Sequence, residues 1–121
     1  MTGTPDLSGN AILIVEDDYY AAIDMAVALR QAGADILGPC PTEAAAVELL
    51  AELTPTAAVV DVNLGGGGAK FELAHQLLKR GVPFVFVTGY DPGSIPVDFA
   101  NVKLLQKPIP LREIAETIAA L

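Results

Sequence analysis

Four apolar runs in this 121-residue chain each end in side chains that can do chemistry. Residues 11–15 lead into Glu16, Asp17 and Asp18, 57–60 into Asp61, 84–87 into Thr88, and 102–106 into Lys107 and Pro108. In an open parallel sheet the C-terminal strand ends share one rim, and ligands bind in the crevice there. Such a sheet gathers three carboxylates, a hydroxyl and an ammonium at one place. Crowded carboxylates repel, and a hard divalent cation relieves that. Mg2+ suits one or two carboxylates with phosphate oxygens and water, with Mn2+ as a substitute. The cation and Lys107 together balance the charge of Glu16, Asp17 and Asp61, so an incoming phosphoryl group is not repelled. A carboxylate can accept a phosphoryl group, and neutralising charge on the transferring oxygens is the usual source of catalysis in that chemistry. Asp61 is the candidate acceptor, Thr88 a hydroxyl partner for the phosphoryl group and Lys107 a compact positive charge. Asn63 offers a backbone carbonyl to the metal. Taken singly, Asp61 reads as a turn-shaping carboxylate, Thr88 as a buried threonine and Lys107 as a surface lysine. Their joint placement favours the chemical reading.

The elements that must position these residues alternate. Strand patterns at 11–16, 34–38, 57–61, 83–88 and 102–106 are separated by helix patterns at 19–32, 43–53 and 69–80, and a last helix starts near Pro110. Gly33 and Gly81 are helix stops, Thr42 is an N-cap, and Pro110 suits a first turn. The fourth helix position, 91–101, contains Pro92, Gly93 and Pro96. Proline in a helix interior costs ~3 kcal/mol, so this helix is expected to be short, frayed or absent. Repeated βα units favour right-handed crossovers and a sheet covered on both faces. The expected fold is therefore α/β, a flavodoxin-like (βα)5 arrangement with five parallel strands in the order 2-1-3-4-5. Residues 1–10 read as a flexible N-terminal segment and 11–121 as the domain.

Composition narrows the function. A formal net charge of -8 argues against direct nucleic-acid binding, which needs a basic patch. The apolar fraction of 52% fits strands buried on both faces of a parallel sheet. The single cysteine, Cys40, cannot form an internal disulfide and fits a reduced, cytoplasmic setting. No apolar stretch approaches the ~18 residues of a membrane span, and residues 1–10 lack signal-peptide features. The glycines at 65–68 lack the Gly-Lys-Ser/Thr of a phosphate loop and follow the wrong strand, so they read as a plain loop. His75, the only histidine, reads as a surface or boundary residue of a helix. Asp18 and Asp24 read as helix-start and surface carboxylates, with Asp18 near enough to the rim to shape its field.

Residues 12–18 (Ile-Leu-Ile-Val-Glu-Asp-Asp), 60–64 (Val-Asp-Val-Asn-Leu), Thr88 and Lys107-Pro108, in this order, resemble the receiver domain of two-component response regulators across about 11–121. The resemblance implies that Asp61 is the phosphoacceptor, that Asp17 ligates Mg2+ directly and Glu16 chiefly through water, and that Asn63 ligates through its carbonyl. Thr88 and Lys107 would contact the phosphoryl group. Two positions depart from the common pattern: Leu104 stands where most receivers carry Tyr or Phe, and four glycines occupy a loop that often holds proline. Residues 83–90 (Pro-Phe-Val-Phe-Val-Thr-Gly-Tyr) resemble the FATGUY branch, with Val87 in place of alanine. That branch is typically single-domain and lacks the switch aromatic, so Leu104 fits it and leaves no aromatic for the usual Thr/aromatic switch.

Three readings compete. The first is a stand-alone receiver, not an enzyme acting on other molecules. It takes a phosphoryl group from a histidine kinase or histidine phosphotransfer protein and signals to a downstream protein through a changed surface. It catalyses its own phosphorylation and dephosphorylation, and engages neither nucleic acid nor membrane. The second is a phosphatase of the haloacid dehalogenase type, which resembles this set in using Asp, Thr/Ser, Lys and Mg2+. Those enzymes place the nucleophile on the first motif strand with a second Asp two residues on, whereas here an acidic strand precedes Asp61 and the residue two on is Asn63. The third is a degenerate receiver that binds partners without phosphorylation. The full set of key residues weighs against it.

Overall fold

The computed structural model describes residues 5–62, 71–89 and 95–121. Asn63, the glycines at 65–68, Tyr90 and residues 91–94 lie outside them. Five strands, β1 (Ala11–Val15), β2 (Asp35–Cys40), β3 (Ala57–Asp61), β4 (Phe84–Thr88) and β5 (Lys103–Gln106), form one sheet in the order β2-β1-β3-β4-β5. Every neighbouring pair is parallel. Among the described residues four α-helices, α1 (Tyr19–Gln31), α2 (Glu43–Leu50), α3 (Glu72–Lys79) and α4 (Leu111–Ala119), cover it. The expected order and class are thus observed.

The strands alternate between two cores because successive side chains point to opposite faces. Ile12, Ile14, Ala57, Val59, Val85, Val87 and Leu105 pack with α1 and α4. Leu13, Val15, Ala58, Val60, Phe84 and Phe86 pack with α2 and α3. Helix α1 buries Ala22, Met25, Ala26 and Leu29, the one-face spacing of an amphipathic helix. It ends at Gly33, whose φ is 104° and where a Cβ would lie 2.7 Å from Ser8 Oγ. The Ala34 N–H donating to Leu29 O (3.0 Å) closes the helix end in the manner of a glycine cap.

Three local features differ from the sequence expectation. Packing begins upstream of residue 11: Leu7 is buried in the α1/α4 core and its N–H donates to Ala32 O. An isolated leucine among polar residues carries no periodic signal, so its burial was not legible. Strand β2 continues through Pro39 to Cys40, which pairs with Val15; it is an edge strand, where a missing N–H is tolerated. Pro110 is the N-cap of α4 rather than a first-turn residue. The fourth helix is reduced, among the described residues, to a 3-10 turn at Val97–Phe99, as the prolines and glycine of that stretch predict.

That turn is anchored by its last residue. Phe99 is buried, stacks on Phe71 at 5.5 Å and meets Phe86 edge-on at 5.4 Å. Phe71 precedes α3 at φ 52°, an uncommon conformation for a bulky residue. Truncating Phe99 removes the ring that joins β4, α3 and the turn, so Phe99→Ala should cost about 3–5 kcal/mol in urea unfolding. Val97→Ala, in the same turn but 84% exposed, should change stability by no more than about 0.5 kcal/mol.

Candidate functional site

The rim residues are fixed by the sheet's own ladder, which runs one residue past three strand ends. The Glu16 N–H donates to Cys40 O (3.0 Å), the Val62 N–H to Val87 O (2.9 Å) and the Lys107 N–H to Thr88 O (2.7 Å). These bonds set Glu16 beside the end of β2, Asp61 beside the end of β4, and Lys107 beside Thr88. In register, Asp61 lies opposite Val87 and Thr88 opposite Gln106. The Lys107–Pro108 peptide is cis.

Lys107 reaches across the rim. Its Nζ donates to Glu16 Oε1 at 2.8 Å and to Asp61 Oδ2 at 2.9 Å. Glu16, Asp61 and Thr88 are buried, while the Lys107 side chain is 34% exposed and Asp17 is exposed. Glu16, Asp17 and Asp61 each offer a carboxylate oxygen, all within 4.8 Å of one another. An all-oxygen set of this kind fits a hard divalent cation. Among the described residues every buried side-chain nitrogen and oxygen has a hydrogen-bond partner.

Burial pushes the Glu16 carboxyl up to about 7, helped by its hydrogen bond with Asp61 and by that group's charge, while Lys107 Nζ and the Asp18 N–H pull the other way. Desolvation by itself lowers the Lys107 ammonium, but its hydrogen bonds to Glu16 and Asp61 and their charges outweigh this and hold it above the usual lysine value. Burial also raises the Cys40 thiol.

Five of the expected site residues, Glu16, Asp17, Asp61, Thr88 and Lys107, thus stand on one rim, and the sixth, Asn63, lies outside the described residues. Two arrangements had no sequence signal. Glu16 is held directly by Lys107, from a strand that is not its neighbour. His75, on α3, sets Nε2 3.3 Å from Asp98 Oδ2 and its ring 4.8 Å from Phe99, a pairing set by the tertiary packing of the 3-10 turn.

The receiver (REC) domain of the response regulator PhyR from Erythrobacter litoralis is 25% identical, with 94% of this chain and 90% of that chain covered and a TM-score of 0.79. SdrG from Sphingomonas melonis Fr1 is 34% identical over 92% of this chain and 94% of its own, with a TM-score of 0.79. This chain belongs to the receiver-domain family of response regulators. SdrG in its BeF3-activated conformation matches at a TM-score of 0.69, with 32% identity and coverage of 94% and 97%. The phyllosphere-induced regulator PhyR of Methylorubrum extorquens is 31% identical over 81 residues, which is 65% of this chain and 30% of that protein. The receiver chain therefore spans under a third of that curated relative. No family profile matches it. Among the described residues no helix is long and apolar enough to cross a membrane.

The raised Glu16 pKa makes stability depend on pH. Its folded value of about 7 exceeds the unfolded value of 4.5, so the folded receiver holds the extra proton between them. The stabilisation is complete below pH 4.5 and is lost as pH rises through about 7. In chelator, the unfolding free energy from urea titration should fall across that window by at most on the order of 3 kcal/mol. Glu16→Gln, which cannot ionise, should flatten the slope. Parallel pH profiles in wild type and Glu16→Gln would show that another group carries the dependence.

Proposed function

We propose that this receiver accepts a phosphoryl group on Asp61 in a Mg2+-dependent reaction. The observation that carries the reading is the buried Asp61 carboxylate, hydrogen-bonded to Lys107 Nζ at 2.9 Å within a cluster of three carboxylates. In the reaction, an Asp61 oxygen attacks phosphorus in line with the leaving group. The new P–O bond forms as the P–N bond of a phosphohistidine breaks, and the imidazole nitrogen keeps the bonding pair. Lys107 moves its hydrogen bond from the Asp61 carboxylate to a phosphoryl oxygen, and the Thr88 hydroxyl donates to another. Asp17 and Asp61 would hold the cation directly, and by the family resemblance Glu16 would hold it through water and Asn63 would add its carbonyl. When bound, the cation offsets charge on the transferring oxygens.

The donor is a histidine kinase or histidine phosphotransfer protein, and the signal passes to a protein partner. Tyr19, Tyr20, Ile23 and Val27 leave large apolar groups exposed along α1, the helix that starts next to the acidic pair, the kind of surface a protein partner covers. The buried Cys40 thiol supports a reducing, cytoplasmic setting. The complete carboxylate–lysine set weighs against a receiver that works without phosphorylation. The acidic pair on β1, upstream of Asp61, weighs against a dehalogenase-type phosphatase.

Incubation with a small acyl phosphate and Mg2+, followed by borohydride trapping and peptide mapping, should place the modification on Asp61. Asp61→Ala should abolish it, and Thr88→Ala should slow loading by on the order of tenfold or more. Label that persists in Asp61→Ala, or maps to His75, would overturn the reading.

A further inference from the structure

Asp18 directly follows the acidic pair, yet the carboxylates that converge on the rim are those of Glu16, Asp17 and Asp61. The Asp18 carboxylate serves the helix instead. Its Oδ1 accepts from the backbone N–H groups of Tyr20 (3.0 Å) and Ala21 (3.2 Å), and its carbonyl accepts from Ala22 (2.9 Å). No acidic residue follows in the first turn of α1, so this cap is the one favourable acidic contact that the helix start receives from its own sequence. The cap bonds hold residue 18 in extended backbone, φ -78° and ψ 113°. In that conformation its own N–H donates to Glu16 Oε2 at 3.2 Å. The other oxygen of the same carboxylate, Oε1, is taken by Lys107. Glu16 is therefore clamped at both oxygens, by the start of α1 on one side and by the end of β5 on the other.

We propose that Asp18 is a positioning residue of the cation site: by capping α1 it fixes the backbone N–H that orients the Glu16 carboxylate toward the metal. The inference rests on the metal reading of the rim given above. Glu16 is 2% exposed, so an oxygen released by residue 18 has little bulk water to turn to, and the carboxylate would rotate toward Lys107 and away from the cation's bound water. Removing a partner that orients a ligand typically weakens metal binding about tenfold or more. The rival explanation is that Asp18 acts through its negative charge, which draws cations to the rim from a distance. The two differ in what an uncharged cap does. Asn and Ser cap helices about as well as Asp but carry no charge.

The test is Mg2+ titration of the full chain in wild type, Asp18→Ala, Asp18→Asn and Asp18→Ser, each with a thermal melt. The proton shift of the residue-18 amide in the metal-free protein is a second readout. Asp18→Ala should weaken Mg2+ about tenfold and move the amide signal upfield. Asp18→Asn and Asp18→Ser should stay within about twofold of wild type and restore the signal. Equal weakening in Asp18→Asn and Asp18→Ala would assign the effect to charge and overturn the proposal. So would an Asp18→Ala protein that melts lower but binds Mg2+ as wild type does. Absence of Mg2+ binding in wild type would sink the metal reading itself. The amide signal would then still decide whether the cap orients Glu16: an unmoved signal in Asp18→Ala overturns the positioning role.

Discussion

The Lys107 ammonium lying between two buried carboxylates is the interaction on which the rest of the rim depends. Glu16 and Asp61 come from β1 and β3, adjacent strands, so the fold itself forces two like charges together in a place with little water. Without a cation between them one would have to stay protonated, and the elevated Glu16 pKa shows how near the site stands to that outcome. Replacing a buried ion pair by apolar groups often stabilises a protein, because desolvation consumes the Coulombic gain. The triad is thus a poor device for stability and a good one for chemistry. It keeps a carboxylate ionised and oriented, and it sets beside that carboxylate a positive charge that a phosphoryl group can share.

The sheet supplies the rigidity that this arrangement requires. Glu16, Val62 and Lys107 each continue a parallel ladder one residue beyond their strands, so the functional positions inherit the geometry of paired backbone rather than of free loops. Beneath the rim both faces are packed with continuous apolar strand residues. The offset between the two cores follows from strand alternation. The side chain at each strand end therefore has its orientation decided several residues earlier. A one-residue slip in β3 would send Val60 to the rim and Asp61 into contact with a core.

What was legible in the sequence was whatever repeats or punctuates. The apolar runs and their terminal polar residues marked the strands and the rim. Gly33 marked the end of α1, and the prolines and glycine of 91–101 marked a weak fourth helix, seen among the described residues as a 3-10 turn. The βα alternation then pointed to the flavodoxin-like strand order. What was not legible depended on single residues whose meaning is tertiary. Leu7 has no periodic neighbours, yet it fills the α1/α4 core. Pro39 reads as a strand breaker, but an edge strand accepts it. Glu16 reads as one of an acidic pair. Its contact with Lys107 depends on a long side chain crossing the rim past β4, which no local pattern encodes.

Leu104 shows the same division in its sharpest form. An aliphatic residue there means that β5 brings no aromatic ring to this face of the sheet. The structure shows where aromatic mass lies instead. Phe84 and Phe86 on β4, Phe71 before α3 and Phe99 in the 3-10 turn form a continuous set of ring contacts, and Leu104 packs against the same core. Phe86 lies two residues before Thr88 on the same strand, and its ring meets the residue that anchors the turn. A rigid core passes on displacement rather than absorbing it, because close-packed rings have no slack. The strand that ends in the rim hydroxyl is therefore the strand that carries the rings reaching α3 and the connection to β5. On this face of the sheet the ring contacts run from β4 to the 3-10 turn, and β5 adds only the aliphatic Leu104.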